Sequence, residues 1–270
     1  MHSFLFRFFR TAAVATLGLF FLSGSASGVE KTFDGLYLGL DLGILGDLSN
    51  TEGNYSYINL HGGGPYVSET GKKKSSDDFD LSPSGALKLG YGFAIEKDYY
   101  FGLESAVHFE DSYSISSGTY TFSNPASRPD YIKDMNVVAD IDPDIHVSLA
   151  FQPGIKIYEN LLVYGSCAYH FMRADIFTQT DFDRSTINAA ATLNENRDKE
   201  NFHGVSLGVG LKYAFTENWM MNFKAEWVYF GDKDLTGPDI VSAPDEITFR
   251  QTTSIQPSWT TFHIGVEYHF

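Results

Sequence analysis

The chain has 270 residues and a formal net charge of −15, with 23 Phe, 16 Tyr and 25 Gly but only one cysteine. The acidic balance excludes nucleic acid or another acidic polymer as a partner, and the single Cys167 excludes an intrachain disulfide. Beyond Leu22 no apolar run is long enough for a transmembrane helix, so a membrane, if there is one, must be crossed by strands.

The first residues read as an export signal. Arg7 and Arg10 precede an apolar run from Thr11 to Leu22, and the small residues Gly24, Ser25 and Ala26 follow. That is the order of charged region, apolar region and cleavage site in a secretory signal. We therefore expect residues 1–27 to be removed and residues 28–270 to form one domain.

From Phe33 onward the dominant pattern is alternation, the mark of a strand with two unlike faces. In residues 33–44, Leu36, Leu38, Leu40, Leu42 and Ile44 oppose Gly35, Tyr37, Gly39, Asp41 and Gly43. Residues 84–96 set Leu87, Leu89, Tyr91 and Phe93 against Lys88, Gly90 and Gly92. Residues 99–110 set Phe101, Leu103, Val107 and Phe109 against Glu104, Ala106 and His108. The fourth segment, 145–158, opposes Val147, Leu149, Phe151 and Ile155 to Ser148, Ala150, Gln152 and Lys156. The fifth, 161–172, is the weakest copy, with Val163, Tyr169 and Phe171 against Tyr164, Ser166 and His170. Segments 204–215 and 219–229 repeat the pattern with Lys212, Lys224 and Glu226 on the polar face. The eighth, 262–270, sets Phe262, Ile264, Val266, Tyr268 and Phe270 against His263, Gly265, Glu267 and His269.

Eight segments of about 9–11 residues suit tilted strands that cross a bilayer, and bacterial single-chain barrels have even strand numbers. Connections at 96–98, 158–160 and 216–218 are tight, whereas 47–82, 110–144, 175–201 and 231–255 are long. This asymmetry predicts an all-β fold: an eight-stranded antiparallel transmembrane barrel with short periplasmic turns and four long extracellular loops. Lys and Glu on the polar face rule out a dry soluble core, where an unpaired charge costs several kcal/mol. In a membrane barrel that face is the interior, and the apolar face meets lipid. Aromatic residues cluster near both strand ends, as interfacial belts require.

At this point the chain resembles a family. Residues 204–232 combine a glycine-rich strand, Tyr213-Ala214-Phe215-Thr216, a turn with Asn218-Trp219 and an aromatic strand ending in Gly231-Asp232. With the opening and closing strands, they resemble the OmpA/opacity-type eight-stranded barrels, and within them the alphaproteobacterial outer membrane immunogenic proteins of the porin family. The resemblance implies a Gram-negative outer membrane location and a C-terminal strand read by the outer-membrane assembly machinery, with Tyr268 and Phe270 as its signal. The long loops carry no such resemblance.

The inward charges Lys88, Glu104, Lys156, Lys212, Lys224, Glu226 and Glu267 form the best-defined constellation. The favoured reading is a salt-bridged plug in a narrow interior; the sharper one is a gated path for ions or small solutes. Counting Asp and Glu against Lys and Arg gives −3, −5, −3 and −3 for the four loops, so the chain's negative charge is an extracellular rim. Such a rim suits a basic host surface, and lipopolysaccharide and lipid are the other expected partners, with Lys72, Lys73 and Lys74 read as solvated loop.

Catalysis, cofactors and metals find no pattern. His146-Val147-Ser148 places a base and a hydroxyl on one strand, superficially like lipid A deacylases, but Leu149 stands where that motif needs Asn. His108, His170, His263 and His269 are scattered over different strands and heights and read as ordinary interior or rim residues. Asp140, Asp142 and Asp144 form the densest carboxylate run, a solvated rim rather than a calcium loop. The expected role is a non-catalytic surface protein (structural, adhesin or surface antigen), with a narrow porin as the alternative.

Overall fold

The computed structural model describes residues 33–59, 81–95, 98–121, 134–183, 194–236, 240–242 and 247–270. The export segment and the three consecutive lysines lie outside these residues.

Eight strands close a barrel: β1 (Gly35–Asp47), β3 (Leu81–Ile95), β4 (Tyr99–Glu110), β6 (Asp134–Tyr158), β7 (Leu161–Asp183), β8 (Asn194–Ala214), β9 (Trp219–Phe230) and β13 (Ser258–His269). Each pairs antiparallel with the next, and β13 returns to β1 in a ladder from Tyr37–His269 to Asp47–Trp259. No barrel edge is left unpaired, which hydrocarbon demands of a spanning sheet. Among the described residues, no helix is long and apolar enough to cross a membrane.

The predicted faces are the observed ones. Outward residues such as Leu207 (62% exposed) and Val209 (65%) are bare, while Ser206 and Lys212 on the same strand are buried. Cys167 also faces out. A soluble fold would lose stability by exposing so many aliphatic and aromatic side chains at about 25 cal/mol per Å²; lipid removes that cost.

The strands differ from expectation above the membrane. β6, β7 and β8 run for 25, 23 and 21 residues, about twice the bilayer-spanning length. Their described outward residues above the membrane include Asp142, Asp144, Arg173, Lys199 and Asn201, so no continuous apolar stripe marks them in the sequence. β5 (Tyr113–Thr121) extends this wall by pairing with upper β6. A second sheet forms from β2 (Asn50–Asn59), β10 (Lys233–Thr236), β11 (Ile240–Ser242) and β12 (Ile247–Gln256), with β12 pairing all three others.

Asp140, Asp142 and Asp144 are therefore strand residues, not loop residues. A register shift between Pro143 and Ile145 interrupts the β6–β7 ladder. The bulge accommodates a proline that a regular ladder would reject. It also switches the inward set from His146, Ser148 and Ala150 below it to Ile141 and Pro143 above.

The interior is stratified. At the periplasmic end Phe33, Tyr100, Leu162, Ala214 and Met220 form one buried apolar cluster. At the extracellular end Trp259, Phe202, Phe230, Leu45, Ile141, Met172 and their neighbours form a larger one. Charged and histidine side chains fill the space between.

Candidate functional site

The charged layer centres on Lys88. Its Nζ lies 2.8 Å from Asp41 Oδ1, 2.7 Å from Glu267 Oε1 and 4.0 Å from Glu104 Oε2. Glu267 uses its other oxygen for Lys212, at 3.1 Å, and Lys224 meets Glu226 at 2.9 Å. Lys212 Nζ also sits 4.1 Å above the centre of the Tyr37 ring, a cation–π contact that helps offset its desolvation. The Tyr37 hydroxyl donates to Glu104 Oε2 at 2.9 Å, and Tyr164 and Asn222 share a 2.7 Å bond.

Glycines make room for these side chains. A Cβ at Gly90 would strike the Tyr37 ring, and one at Gly210 would strike Tyr164. Gly90 and Gly210 are thus the counterparts of two inward tyrosines.

Of the seven charges expected inside, Lys88, Glu104, Lys212, Lys224, Glu226 and Glu267 converge. Lys156 does not: it is half-buried two residues from the periplasmic turn, where its backbone N–H donates to the Asp98 carbonyl at 2.7 Å. Its place near the end of β6 puts it below the charged layer. Asp41 is the member missing from the expected set, although it stands on the polar face of β1.

The terminal pair is where the pattern put it. Tyr268 packs edge-on against Trp219 at 5.1 Å and Phe270 at 5.0 Å. The Phe270 N–H donates to the Leu36 carbonyl at 3.0 Å.

Above the charged layer three histidines come together, so the expectation of scattered residues fails for His108 and His170, whereas His269 lies toward the periplasmic end, 3.4 Å from Glu267 Oε2. The His108, His146 and His170 ligand atoms lie within 4.8 Å of one another. His108 stands directly opposite His146 in the β4–β6 ladder. His170 pairs with Ser148, which puts it diagonal to His146 on the same face. His146 Nδ1 is 3.1 Å from Glu110 Oε1, its Nε2 is 2.9 Å from His170 Nδ1, and His170 Nε2 is 2.9 Å from Ser206 Oγ. Ser206 in turn donates to Glu226 Oε1 at 2.7 Å. His108 Nε2 is 2.8 Å from Ser148 Oγ, and His263 Nε2 is 3.0 Å from Ser84 Oγ. The Ser148 hydroxyl thus bonds His108, on the neighbouring strand, rather than His146.

Outside the membrane, Lys199 bridges Asp175 at 2.8 Å and Asp144 at 3.3 Å. The hydrogen bond from Lys199 holds the Asp175 carboxyl below its usual range. Asp175 and then Asp144 hold the Lys199 ammonium above its own. This exposed trio ties β6, β7 and β8 together above the bilayer.

A closed barrel with an aliphatic outer wall and a charged interior is a transmembrane β-barrel. A family model described as the outer membrane protein beta-barrel domain matches residues 12–270, and the chain belongs to that family. It is an outer membrane barrel. Among solved structures, the chain is similar to OprG of Pseudomonas aeruginosa at 13% identity and a TM-score of 0.43, covering 90% of this chain and 100% of that one. It is similar to the protease OmpT of Escherichia coli at 12% and 0.41, covering 91% and 100%. For Ail, the attachment invasion locus protein of Yersinia pestis, the values are 12% and 0.34, covering 88% and 99%. Likeness at this level carries nothing about function. No curated protein matches the chain.

Proposed function

We propose that the protein is a non-catalytic surface barrel whose extracellular wall is its working part, as an adhesin or surface-exposed antigen, and whose interior is structural. The observation that carries this reading is the length of β6. Residues 134–144 stand above the lipid-facing residues that begin at Ile145 and, with β5 and β7, raise a hydrogen-bonded wall. At about 3.3 Å per residue that stretch of β6 is on the order of 35 Å long. A barrel that only reinforced the envelope would have no use for strands of this length.

Acidic residues dominate the four extramembrane segments, which favours a basic host surface. The resemblance to the alphaproteobacterial immunogenic proteins, export through residues 1–27 and contact with lipopolysaccharide belong to the same proposal. So does recognition of the terminal strand by the assembly machinery. The narrow-porin reading is weaker because apolar clusters close both ends of the interior.

The test is binding of whole bacteria to host cells. Replacing residues 112–139 by a short turn removes β5 and most of upper β6 while leaving the membrane barrel. Binding should fall to the level of cells lacking the protein, with the barrel still migrating faster on gels before heating than after. Undiminished binding after every extracellular extension has been shortened would refute the proposal.

A further inference from the structure

We propose that His108, His146 and His170 form a buried site for one divalent first-row transition metal ion, of which Zn²⁺ is the representative. Three imidazoles from three adjacent strands converge, with ligand atoms within 4.8 Å of one another. The closest two, His146 Nε2 and His170 Nδ1, are 2.9 Å apart. Ligands bound at 2.0–2.1 Å in a tetrahedron stand about 3.3 Å from each other, so this pair spreads slightly and the wider pairs, within 4.8 Å, close in to admit the ion.

The outer partners are arranged as metal-binding histidines require. A ligating imidazole uses one nitrogen for the metal, and the other bonds a carboxylate, hydroxyl or carbonyl that fixes tautomer and orientation. In His146, Nδ1 meets Glu110 and Nε2 turns inward. In His170, Nε2 meets Ser206, which is backed by Glu226, and Nδ1 turns inward. The Ser148 hydroxyl anchors His108.

The carboxylate behind His146 is itself buried. The Glu110 side chain is only 3% exposed, and its Oε2 is buried with no hydrogen-bond partner among the described residues. As the outer partner of His146 Nδ1, this carboxylate stands on the far side of the ring from the ion and acts by holding Nε2 toward it. Three neutral imidazoles are a ligand set for Zn²⁺ rather than for Ca²⁺ or Mg²⁺, which take oxygen.

The surroundings assign the ion a structural role. Phe230 and Trp259 lie with ring centres 5.8 and 5.9 Å from that of His146, on the extracellular side. The site is roofed by apolar rings, so the ion enters as the barrel assembles and then joins β4, β6 and β7.

The protein, purified without a polyhistidine tag, should be refolded in detergent with Zn²⁺ or Co²⁺, freed of unbound metal and assayed by elemental analysis. We expect about one ion per chain and, with Co²⁺, visible absorption bands of a tetrahedral centre. His146→Gln and His170→Gln should abolish retention, and Glu110→Gln should weaken affinity about 10-fold or more. His203→Gln, which alters an exposed ring, should leave it unchanged. X-ray absorption of the wild-type zinc complex, where imidazole scattering is expected, decides the matter even if a variant fails to fold. A folded wild-type barrel that retains no metal would overturn the proposal. So would a zinc spectrum without imidazole, or His146→Gln and His170→Gln barrels that bind as the wild type does.

Discussion

Glu267 is the single side chain on which the charged interior depends most. Its two oxygens meet two different lysines, Lys88 and Lys212, and all three side chains are at most 1% exposed. The carboxylate cannot be removed without leaving two buried ammonium groups short of countercharge. Losing one partner of a buried ion pair costs about 3–5 kcal/mol. Glu267→Gln, nearly identical in shape, should therefore destabilise the barrel by about 3 kcal/mol or more, read as an earlier midpoint in urea unfolding from detergent micelles. Lys156→Met, which touches none of these groups, should leave the midpoint in place. An unshifted midpoint for Glu267→Gln would mean that the cluster is hydrated and loosely paired. Most of this layer was legible, because Lys88, Glu104, Lys212, Lys224, Glu226 and Glu267 all occupy polar-face positions of clean alternation. Asp41 obeys the same rule and could have been included. Lys156 shows the limit, since alternation gives the face of a residue but not its height.

At the scale of the strands, what could be read depended on the connections. Tight turns fix register, so the pairing of β3 with β4, β6 with β7, and β8 with β9 follows from the sequence. The approach of His146 to His170 was therefore available in principle, because a tight turn joins their strands. The opposition of His108 to His146 was not, because a long loop joins β4 to β6 and leaves their register free. The upper strands were invisible for a different reason: outside the bilayer neither face must be apolar, and the Pro143 bulge breaks the phase. The closing strand had the clearest signal. Its ladder with β1 ends in the Phe270 N–H bond to Leu36, beside the Tyr268, Phe270 and Trp219 rings. Removing Phe270 deletes one hydrogen bond and one aromatic contact from the last seam to close. A net loss of about 1 kcal/mol for the bond alone would scarcely unfold a completed barrel. If the residue is also read during assembly, the deletion variant should be depleted from outer membrane fractions of cells. The same variant refolded in detergent should still show the heat-dependent gel shift. Equal depletion in both settings would assign the residue to stability alone.

Whether the whole molecule conducts depends on its layering rather than on any one charge. An ion crossing the barrel would meet the cluster around Phe33, Tyr100 and Met220 at one end and that around Trp259, Phe202 and Phe230 at the other. Between them the fixed charges pair with one another, so a permeating ion would have to displace a partner at 2.7–3.1 Å. An eight-stranded barrel has an interior just wide enough for its own side chains, and here glycines such as Gly90 and Gly210 yield their space to tyrosines rather than to water. Opening a path therefore requires both apolar ends and the middle to rearrange together. In planar bilayers the wild type should show no stable conductance steps. Glu104→Ala and Lys212→Ala should be equally silent, because loosening the middle leaves both ends closed. Reproducible steps in the wild type would identify the charged layer as a gate, and the ratio of cation to anion current would then report the balance of its lysines and carboxylates. Silence in the single variants with steps only after Trp259→Ala and Phe230→Ala are combined with Tyr100→Ala would locate the barrier in the apolar ends, where the layering puts it.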